Sequence, residues 1–573
     1  MALAEELNLP QVLARILVQR GLHQPKAARS FFSSSLNSDL PSPFLMAGMK
    51  EAVERLVSAL ERKEKICIWG DYDVDGTTGA AVLVAFLREV GADPLYYIPH
   101  RIHEGYGVNS EGLKRLKSLG AQLVVTVDCG ISNHAEVEVG RELGIDIIIV
   151  DHHELPPKIP SAVAIINPHR TDCEFPDKGM SAAGLAFYLI IGLRAKLRET
   201  GWFAGGKVPD IRRHLDIIAL GTIADMVPLK GVNRVLTRRG LTELGDTTRP
   251  GVLALKQVAG IPEGKVGAGQ VGFRLGPRIN AAGRMDAGLK VVEMLTTDSQ
   301  EAALRIAQEL DDHNRERQEM EARVLKEALS QIKADPEFGS RYTIVLASKG
   351  WHPGVLGIVA SRVVERFHRP TVVIGFDQEK GKGSARSIRG FHMVDGLRQC
   401  ADLLEGYGGH EFAGGLTIRA ERWTLFSSRF EEIAKSILKP DHLIPLLELD
   451  GALSFSEIGL PLVRRLRELE PFGVGNPEPL FMTADVEVLE RREFNGGCRL
   501  RLRQAGKILE AVVFGSQYRF ASDELRAAIS NPQSENSLLI PGVRIDIVYR
   551  LGENEWNGSS AVELKIADAR ASA

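Results

Sequence analysis

The sequence predicts an α/β protein: a mostly parallel sheet in the N-terminal half, a long connecting helix, a second α/β domain and a small C-terminal β-barrel. Three observations lead there. Between residues 65 and 151, short apolar runs alternate with amphipathic helical ones, the rhythm of βαβ units in a sheet covered on both faces. Ser299 to Ala334 keeps a helical period throughout. Beyond residue 448, short alternating runs recur at regular spacing, as in a small antiparallel barrel.

The chain has 573 residues, length enough for roughly three or four domains. With 44% hydrophobic and 25% charged residues it has the composition of an ordinary globular protein. The five cysteines show no C-x-x-C spacing, which argues against a disulfide framework or zinc knuckle and fits a reducing cytoplasm. Met1-Ala-Leu-Ala-Glu-Glu6 is too acidic for a signal peptide, and no apolar run reaches membrane-spanning length. A net charge of −3 means that nucleic-acid binding would have to come from local basic surfaces.

Residues 1–46 read as a helical lead-in without recognisable chemistry. The sheet then follows in order: strand 65–70, helix 78–90, strand 94–99, helix 109–118, strand 122–128, helix 133–143 and strand 146–151. Three strands end in polar groups. The first runs into Asp71-Tyr-Asp-Val-Asp-Gly76, where an extended backbone would set Asp71, Asp73 and Asp75 on one face. The others run into Asp128-Cys-Gly-Ile and Asp151-His-His-Glu154. An open α/β sheet places its ligands at these carboxyl ends. So many close carboxylates repel one another unless cations sit among them. A calcium loop would need a glutamate at its twelfth position, which here is Val82. Asp128 alone would be read as a helix cap. Adjacent histidines after a strand point to opposite sides, so only one of His152 and His153 is expected as a direct ligand. Asp225, after the apolar run from Leu215, could reach the same cleft. Oxygen and imidazole ligands without thiolate favour Mn²⁺ or Mg²⁺ over zinc. The number of acids suggests two ions, about 3.5–4 Å apart, as in phosphoester hydrolysis.

These four stretches, ending with Gly221-Thr-Ile-Ala-Asp225, resemble the motifs of the DHH phosphoesterase family in order and spacing. From about residue 47 onward the chain is similar to the family's single-stranded-DNA-specific exonucleases. The resemblance implies a DHH catalytic domain at 47–230, a helical connector with an Arg/Gly-rich motif at 231–338, a DHHA1 substrate-binding domain at 339–440 and an OB-type barrel at 441–573. It implies that Asp73 and Asp75 each hold a metal, that Asp128 bridges the two, and that His152 and Asp225 complete the shell. Asp71 would be a ligand or support a water, Asp151 would orient a histidine, and His153 would face the scissile phosphate. The nucleophile would be a water activated by the metals.

Further along, Gly272-Phe-Arg-Leu-Gly-Pro-Arg278 to Arg284 reads as a loop entering a short helix, and Arg278, Asn280 and Arg284 would hold backbone phosphates. Ser384 and Arg386 would help hold the 5′-terminal phosphate, with His410 near the cut. In the barrel, Arg491, Arg492, Arg499, Arg501, Arg503 and Lys507 would either contact a strand or face solvent, and Phe494 and Phe514 would stack on bases or fill the core. The implied activity is two-metal, 5′-to-3′ hydrolysis of single-stranded DNA to mononucleotides by a cytoplasmic, monomeric enzyme. It would act in DNA repair and recombination beside a helicase and a single-strand-binding protein. The alternatives are a DHH phosphodiesterase for short oligonucleotides or cyclic dinucleotides, and a scaffold that has lost catalysis.

Overall fold

The computed structural model describes residues 2–101, 103–284, 288–514, 525, 538–556 and 559–572. The chain forms two compact units, Met1–Asn314 with Glu468–Glu478, and Arg315–Arg467 with Pro479–Ala573.

The first unit is built on a parallel five-stranded sheet: β1 (Lys65–Gly70), β2 (Leu95–Tyr97), β3 (Ala121–Val127), β4 (Asp146–Val150) and β5 (Ala164–Ile166), in the order β2-β1-β3-β4-β5. The strands are apolar on both faces because both are covered. Ile66 and Ile68 enter the core formed by helices Val74–Glu89, Ala182–Glu199 and Leu215–Ala224. Their neighbours Cys67 and Trp69 pack on the other face with Leu113, Leu116 and Val137 from helices Ser110–Ser118 and His134–Glu142. Strand order reverses between β1 and β3, which opens a crevice at their carboxyl ends.

Helices that follow this sheet, from Gly231–Gly245 to Gln300–Ala334, deliver Val232, Leu236, Val252, Leu275, Ile279 and Leu310 to the same core. The glycine- and arginine-rich run has its expected short helix, but no loop leads into it. It forms a π-helical turn, Val271–Leu275, continuous with helix Gly276–Arg284, whose small residues Ala281 and Ala282 are fully buried. Local glycine content suggests flexibility there, and tertiary packing overrides it.

The second unit takes the end of a 35-residue helix, Gln300–Ala334, whose Val324, Ala328 and Ile332 pack against the following sheet. That sheet contains β6 (Ile344–Lys349), β7 (Thr371–Asp377), β8 (Lys380–Arg386), β9 (Leu404–Gly409) and β10 (Ala413–Arg419), in the order β6-β7-β8-β10-β9. Only the β6–β7 pair is parallel. A five-stranded barrel follows, with β11 (Gly451–Ala452) alongside its first strand. Its strands are β12 (Phe481–Phe494), β13 (Gly497–Gln504), β14 (Lys507–Phe514), β15 (Arg544–Trp556) and β16 (Ser559–Ala571). Pairing of β12 with β15 closes the ring. The barrel is mixed rather than wholly antiparallel, because β14 and β16 run the same way. Alternation is clear in β13, where Cys498, Leu500 and Leu502 point inward.

The barrel arginines are largely matched by acids on its surface: Arg503 with Glu487, Arg492 with Glu490, and Arg501 with Glu490 and Glu510. Phe494 and Phe514 pack edge to face, their ring centroids 5.7 Å apart. Among the described residues, no helix is long and apolar enough to cross a membrane.

Buried Glu431 anchors the start of the second sheet. Its carboxylate accepts from Tyr342 N (2.9 Å), Thr343 N (2.8 Å) and the Thr343 hydroxyl (2.6 Å). Glu431→Ala leaves those donors without their acceptor and is expected to cost about 2 kcal/mol, read as a lowered midpoint in urea denaturation. An unchanged midpoint would show that water replaces the carboxylate at no loss.

Candidate active site

The parallel register assembles the centre. Gly70 pairs with Val127, Val127 with Val150, and Val150 with Ile166. The next residue of β1, β3 and β4 is in each case an aspartate, and the ladder continues through it. Asp71 N donates to Val127 O (3.1 Å), Asp128 N to Val150 O (2.9 Å) and Asp151 N to Ile166 O (3.1 Å). Three acids therefore stand side by side on one rung at the carboxyl edge.

Beyond β1 the chain does not stay extended. Asp73 is the N-cap of helix Val74–Glu89, its Oδ1 accepting from Gly76 N at 3.0 Å, and Asp75 lies in the first turn. The three acids of this motif are thus spread around a turn rather than aligned on a strand. The N-cap preference of aspartate wins over extension, and Gly76 fits where an added Cβ would lie 2.6 Å from Asp71 N. The fully buried Asp75 carboxylate is held by two main-chain donors at the start of the neighbouring helix, Ala182 N (2.6 Å) and Ala183 N (2.9 Å). Asp225 is reached from a helix, Leu215–Ala224, as its C-cap.

Both histidines turn toward this cluster, contrary to the expectation of opposite faces, because the backbone after β4 leaves the strand conformation. His152 Nε2 is 3.1 Å from Asp128 Oδ1, 3.7 Å from Asp225 Oδ2 and 3.9 Å from Asp75 Oδ2. His153 Nδ1 is 2.7 Å from Asp151 Oδ1. Asp151 Oδ2 in turn accepts from Ile131 N at 3.0 Å, which fixes its direction.

The electrostatics are those of a cation site. Burial, then neighbouring Asp73, pushes the Asp71 carboxyl up to about 8 and that of Asp75 up to about 7. Burial, then Asp75 and Asp73, pushes Asp225 up to about 9, and burial with the same acids drives Asp128 well above the carboxylate range. His152 is pushed down to about 4, by burial first and then by His153, so its imidazole is neutral and able to ligate. Burial opposes the charge on His153, but its hydrogen bond with Asp151 and the nearby acids outweigh burial and raise its pKa. Asp71 Oδ1, Asp128 Oδ1 and Asp225 Oδ2 are buried without a hydrogen-bond partner among the described residues. Asp71, Asp73 and Asp128 bring one oxygen each within 4.8 Å of one another, and so do the ligand atoms of Asp75, His152 and Asp225. Asp128, His152 and His153 form an overlapping third group. Orphaned carboxylate oxygens beside a neutral imidazole suit hard divalent ions such as Mn²⁺ or Mg²⁺, with room for two.

The remaining candidates have other immediate partners. Arg278 Nε donates to Asp311 Oδ1 (2.8 Å) and Nη1 to Arg274 O (2.6 Å), so its guanidinium is engaged within the fold. Asn280 Oδ1 accepts from Val74 N at 3.3 Å and so supports the aspartate turn itself. The side chain of Arg284, the last residue of its helix, lies outside the described residues. In the second unit, Ser384 and Arg386 share β8, with Arg386 Nη1 3.3 Å from Ser384 Oγ. Both face the second turn of helix Pro353–Phe367, where a Cβ on Gly357 would lie 3.0 Å from each. Among the described residues no carboxylate pairs with Arg386, and burial lowers its pKa. His410 is exposed on the β9–β10 turn, its N–H donating to Ala413 O at 2.7 Å. Sequence reasoning missed Tyr106, whose hydroxyl donates to Asp128 O (2.9 Å) and lies 3.2 Å from His153 Nδ1. Its signal was the pair of flanking glycines, Gly105 and Gly107.

Residues 65–222 match the DHH family, N-terminal domain, and 339–436 the DHHA1 domain. A parallel sheet with an acid-and-histidine centre at its switch point, followed by a DHHA1 domain, defines a DHH phosphoesterase. Residues 449–568 match the RecJ OB domain. The single-stranded-DNA-specific exonuclease RecJ of Bacillus subtilis is 37% identical over 576 residues, covering all of this chain and 69% of that protein. The Escherichia coli protein of the same name is 36% identical, with 98% of this chain and 96% of the relative covered. Among solved structures, RecJ from Thermus thermophilus in complex with Mn²⁺ has a TM-score of 0.79 at 32% identity, covering 99% of this chain and 77% of that one. Its complex with Mg²⁺ has a TM-score of 0.76 at 30% identity, covering 99% of this chain and 76% of that one. The chain belongs to the RecJ family of single-stranded-DNA-specific exonucleases.

Metal and protons compete for this centre. The unfolded carboxyls titrate near pH 3.9 and the folded, metal-free ones at about 7 to 9. The folded state therefore holds more protons between those values, and metal-free stability falls as pH rises from about 4 to 9. Mn²⁺ displaces the protons, so its affinity should rise over pH 6–9 with proton release. Titration calorimetry in two buffers of different protonation enthalpy reads this directly, and identical heats would show that the acids are already ionised.

Proposed function

We infer that this chain is a metal-dependent exonuclease that degrades single-stranded DNA from its 5′ end to 5′-mononucleotides. The observation that carries this is the complete set of acids and histidines around Asp128, in a chain whose full length matches proteins named single-stranded-DNA-specific exonuclease. We assign 47–230 as the catalytic segment, 231–338 as its helical continuation, 339–440 as the DHHA1 segment and 441–573 as the barrel, after a helical lead-in at 1–46.

Asp71 and Asp73 would hold one ion and Asp75, His152 and Asp225 the other, with Asp128, which groups with Asp71 and Asp73 and also with His152, shared between them. Bound Mn²⁺ or Mg²⁺ supplies Lewis acidity and an activated water for in-line attack on the phosphodiester. The chain's own part is to fix charge and protons around that reaction. Asp151 holds the His153 ring by its Nδ1–H and favours its protonated form, and as an imidazolium it would stabilise the phosphorane-like charge or protonate the leaving 3′ oxygen. Ala182 N and Ala183 N keep Asp75 from swinging out of the cluster. Ser384 and Arg386, beside the helix that starts at Pro353, would take the 5′ phosphate. A guanidinium without an acid partner among the described residues is the natural counter-charge. His410 would contact the strand near the cut, and the barrel would extend the track for single-stranded DNA.

An enzyme that takes only single strands depends on others to open duplexes. We place it in DNA repair and recombination, as a cytoplasmic monomer working with a helicase and a single-strand-binding protein.

Digestion of 5′- and 3′-labelled single strands with Mn²⁺ tests the reading. Immediate release of a labelled mononucleotide from the 5′ end, gradual shortening of the 3′-labelled strand, an inert duplex and an inert Asp128→Ala variant are expected. Cleavage confined to di- to pentanucleotides would replace this function by that of a small-substrate phosphodiesterase, and binding without cleavage by that of a scaffold. Separately, Arg386→Ala should raise KM about tenfold or more on 5′-phosphorylated strands, the value of a charge-assisted hydrogen bond, and little on 5′-hydroxyl strands. An equal rise on both would remove Arg386 from the phosphate site.

A further inference from the structure

Tyr106 stands at the edge of the metal centre, half exposed, yet its hydroxyl points inward. That hydroxyl donates to Asp128 O at 2.9 Å, and its oxygen lies 3.2 Å from His153 Nδ1, the atom that also meets Asp151. Asp128 is unusual in its backbone. Its φ of +66° is a left-handed conformation that aspartate adopts only at a penalty, and something must hold it there. The main chain is pinned on both sides: its N–H by Val150 O on β4, its carbonyl by Tyr106. The same residue carries the carboxylate that belongs to two of the three candidate metal groups.

The segment that presents Tyr106 is itself built. Gly105 and Gly107 flank it at φ +81° and +87°, so the chain turns sharply on both sides of the tyrosine. Asn133 locks the turn. Its side chain accepts from Val108 N (3.3 Å) and donates to Val108 O (3.1 Å), and a Cβ on Gly107 would lie 2.7 Å from Asn133 Oδ1.

We propose that Tyr106 is a positioning residue of this centre: its hydroxyl fixes the Asp128 main chain, and with it the shared carboxylate, while bounding the His153 ring. It acts through Asp128 and His153 rather than on the phosphate. The inference deepens the exonuclease reading and rests on it for its kinetic arm alone.

The test compares wild type, Tyr106→Phe and Tyr106→Ala as full chains. Loss of the hydroxyl should lower kcat on a 5′-phosphorylated single strand and weaken calorimetric Mn²⁺ binding to the metal-free protein. Each change should be about 10–100-fold, the usual effect of removing a group that orients a metal ligand. KM for the strand and the thermal midpoint should stay near wild type, and the alanine variant should be no worse in kcat than the phenylalanine one. Unchanged Mn²⁺ affinity and kcat in Tyr106→Phe would overturn the proposal. So would a rise in KM alone, which would make the tyrosine a strand contact, or a fully active Phe variant beside a dead Ala one, which would make it packing. If wild type cleaves no single strand, the exonuclease reading fails, and the Mn²⁺ titration still decides the role of Tyr106.

Discussion

Buried carboxylates repelling one another across a few ångströms shape the catalytic unit. Asp71, Asp75 and Asp128 are almost out of contact with water and Asp225 is half-buried beside them, and their proton affinities rise because burial and mutual repulsion penalise every charge added. A fold keeps such a group only if the rest of the structure over-determines it. Here the support is distributed. A parallel ladder fixes three main-chain positions, one helix N-terminus grips Asp75, another helix ends on Asp225, and Asn280 props the turn from outside the sheet. The stored repulsion becomes useful once cations arrive, because the geometry that was unfavourable for carboxylates alone is then the favourable one.

The two histidines of one motif have their proton affinities pushed in opposite directions although their rings are 4.8 Å apart. His152 is pressed among buried atoms beside His153, and its affinity for a proton falls. His153 leans on Asp151, and its affinity rises. The difference between them is made by which one Asp151 faces. Asp151 is in turn aimed by a backbone amide, Ile131 N, from the loop after β3, so an element of the adjacent strand decides the chemistry of this one.

Much of this is legible from residue order. Apolar runs mark β1, β3 and β4, and acids at their ends mark the edge where a ligand would bind, because strand burial and strand termination are local properties. What depends on long-range contact is not legible. Whether Asp73 continues a strand or caps a helix turns on a packed Gly76 and on Asn280, some two hundred residues away. Arg278 reads as available for phosphate in the sequence, but in the fold Asp311 takes its guanidinium. The start of the run from Gly272 to Arg284 reads as a loop before its short helix because glycine counts describe backbone freedom, whereas the packing that winds it into a π-helical turn is a tertiary fact. Tyr106 carries only a weak local mark, since nothing in its neighbours reveals a hydrogen bond to a residue on another strand.

The rung formed by Asp71, Asp128 and Asp151 has a consequence for how such a chain can vary. Residues in a parallel ladder are counted from their strands, so adding or deleting one residue inside β1, β3 or β4 would turn its aspartate to the opposite face and remove it from the cluster. The connections between strands carry no such count. A chain that keeps this centre can therefore change length only in the loops and helices between the strands. New substrate contacts can be grafted there while the reacting centre stays in phase.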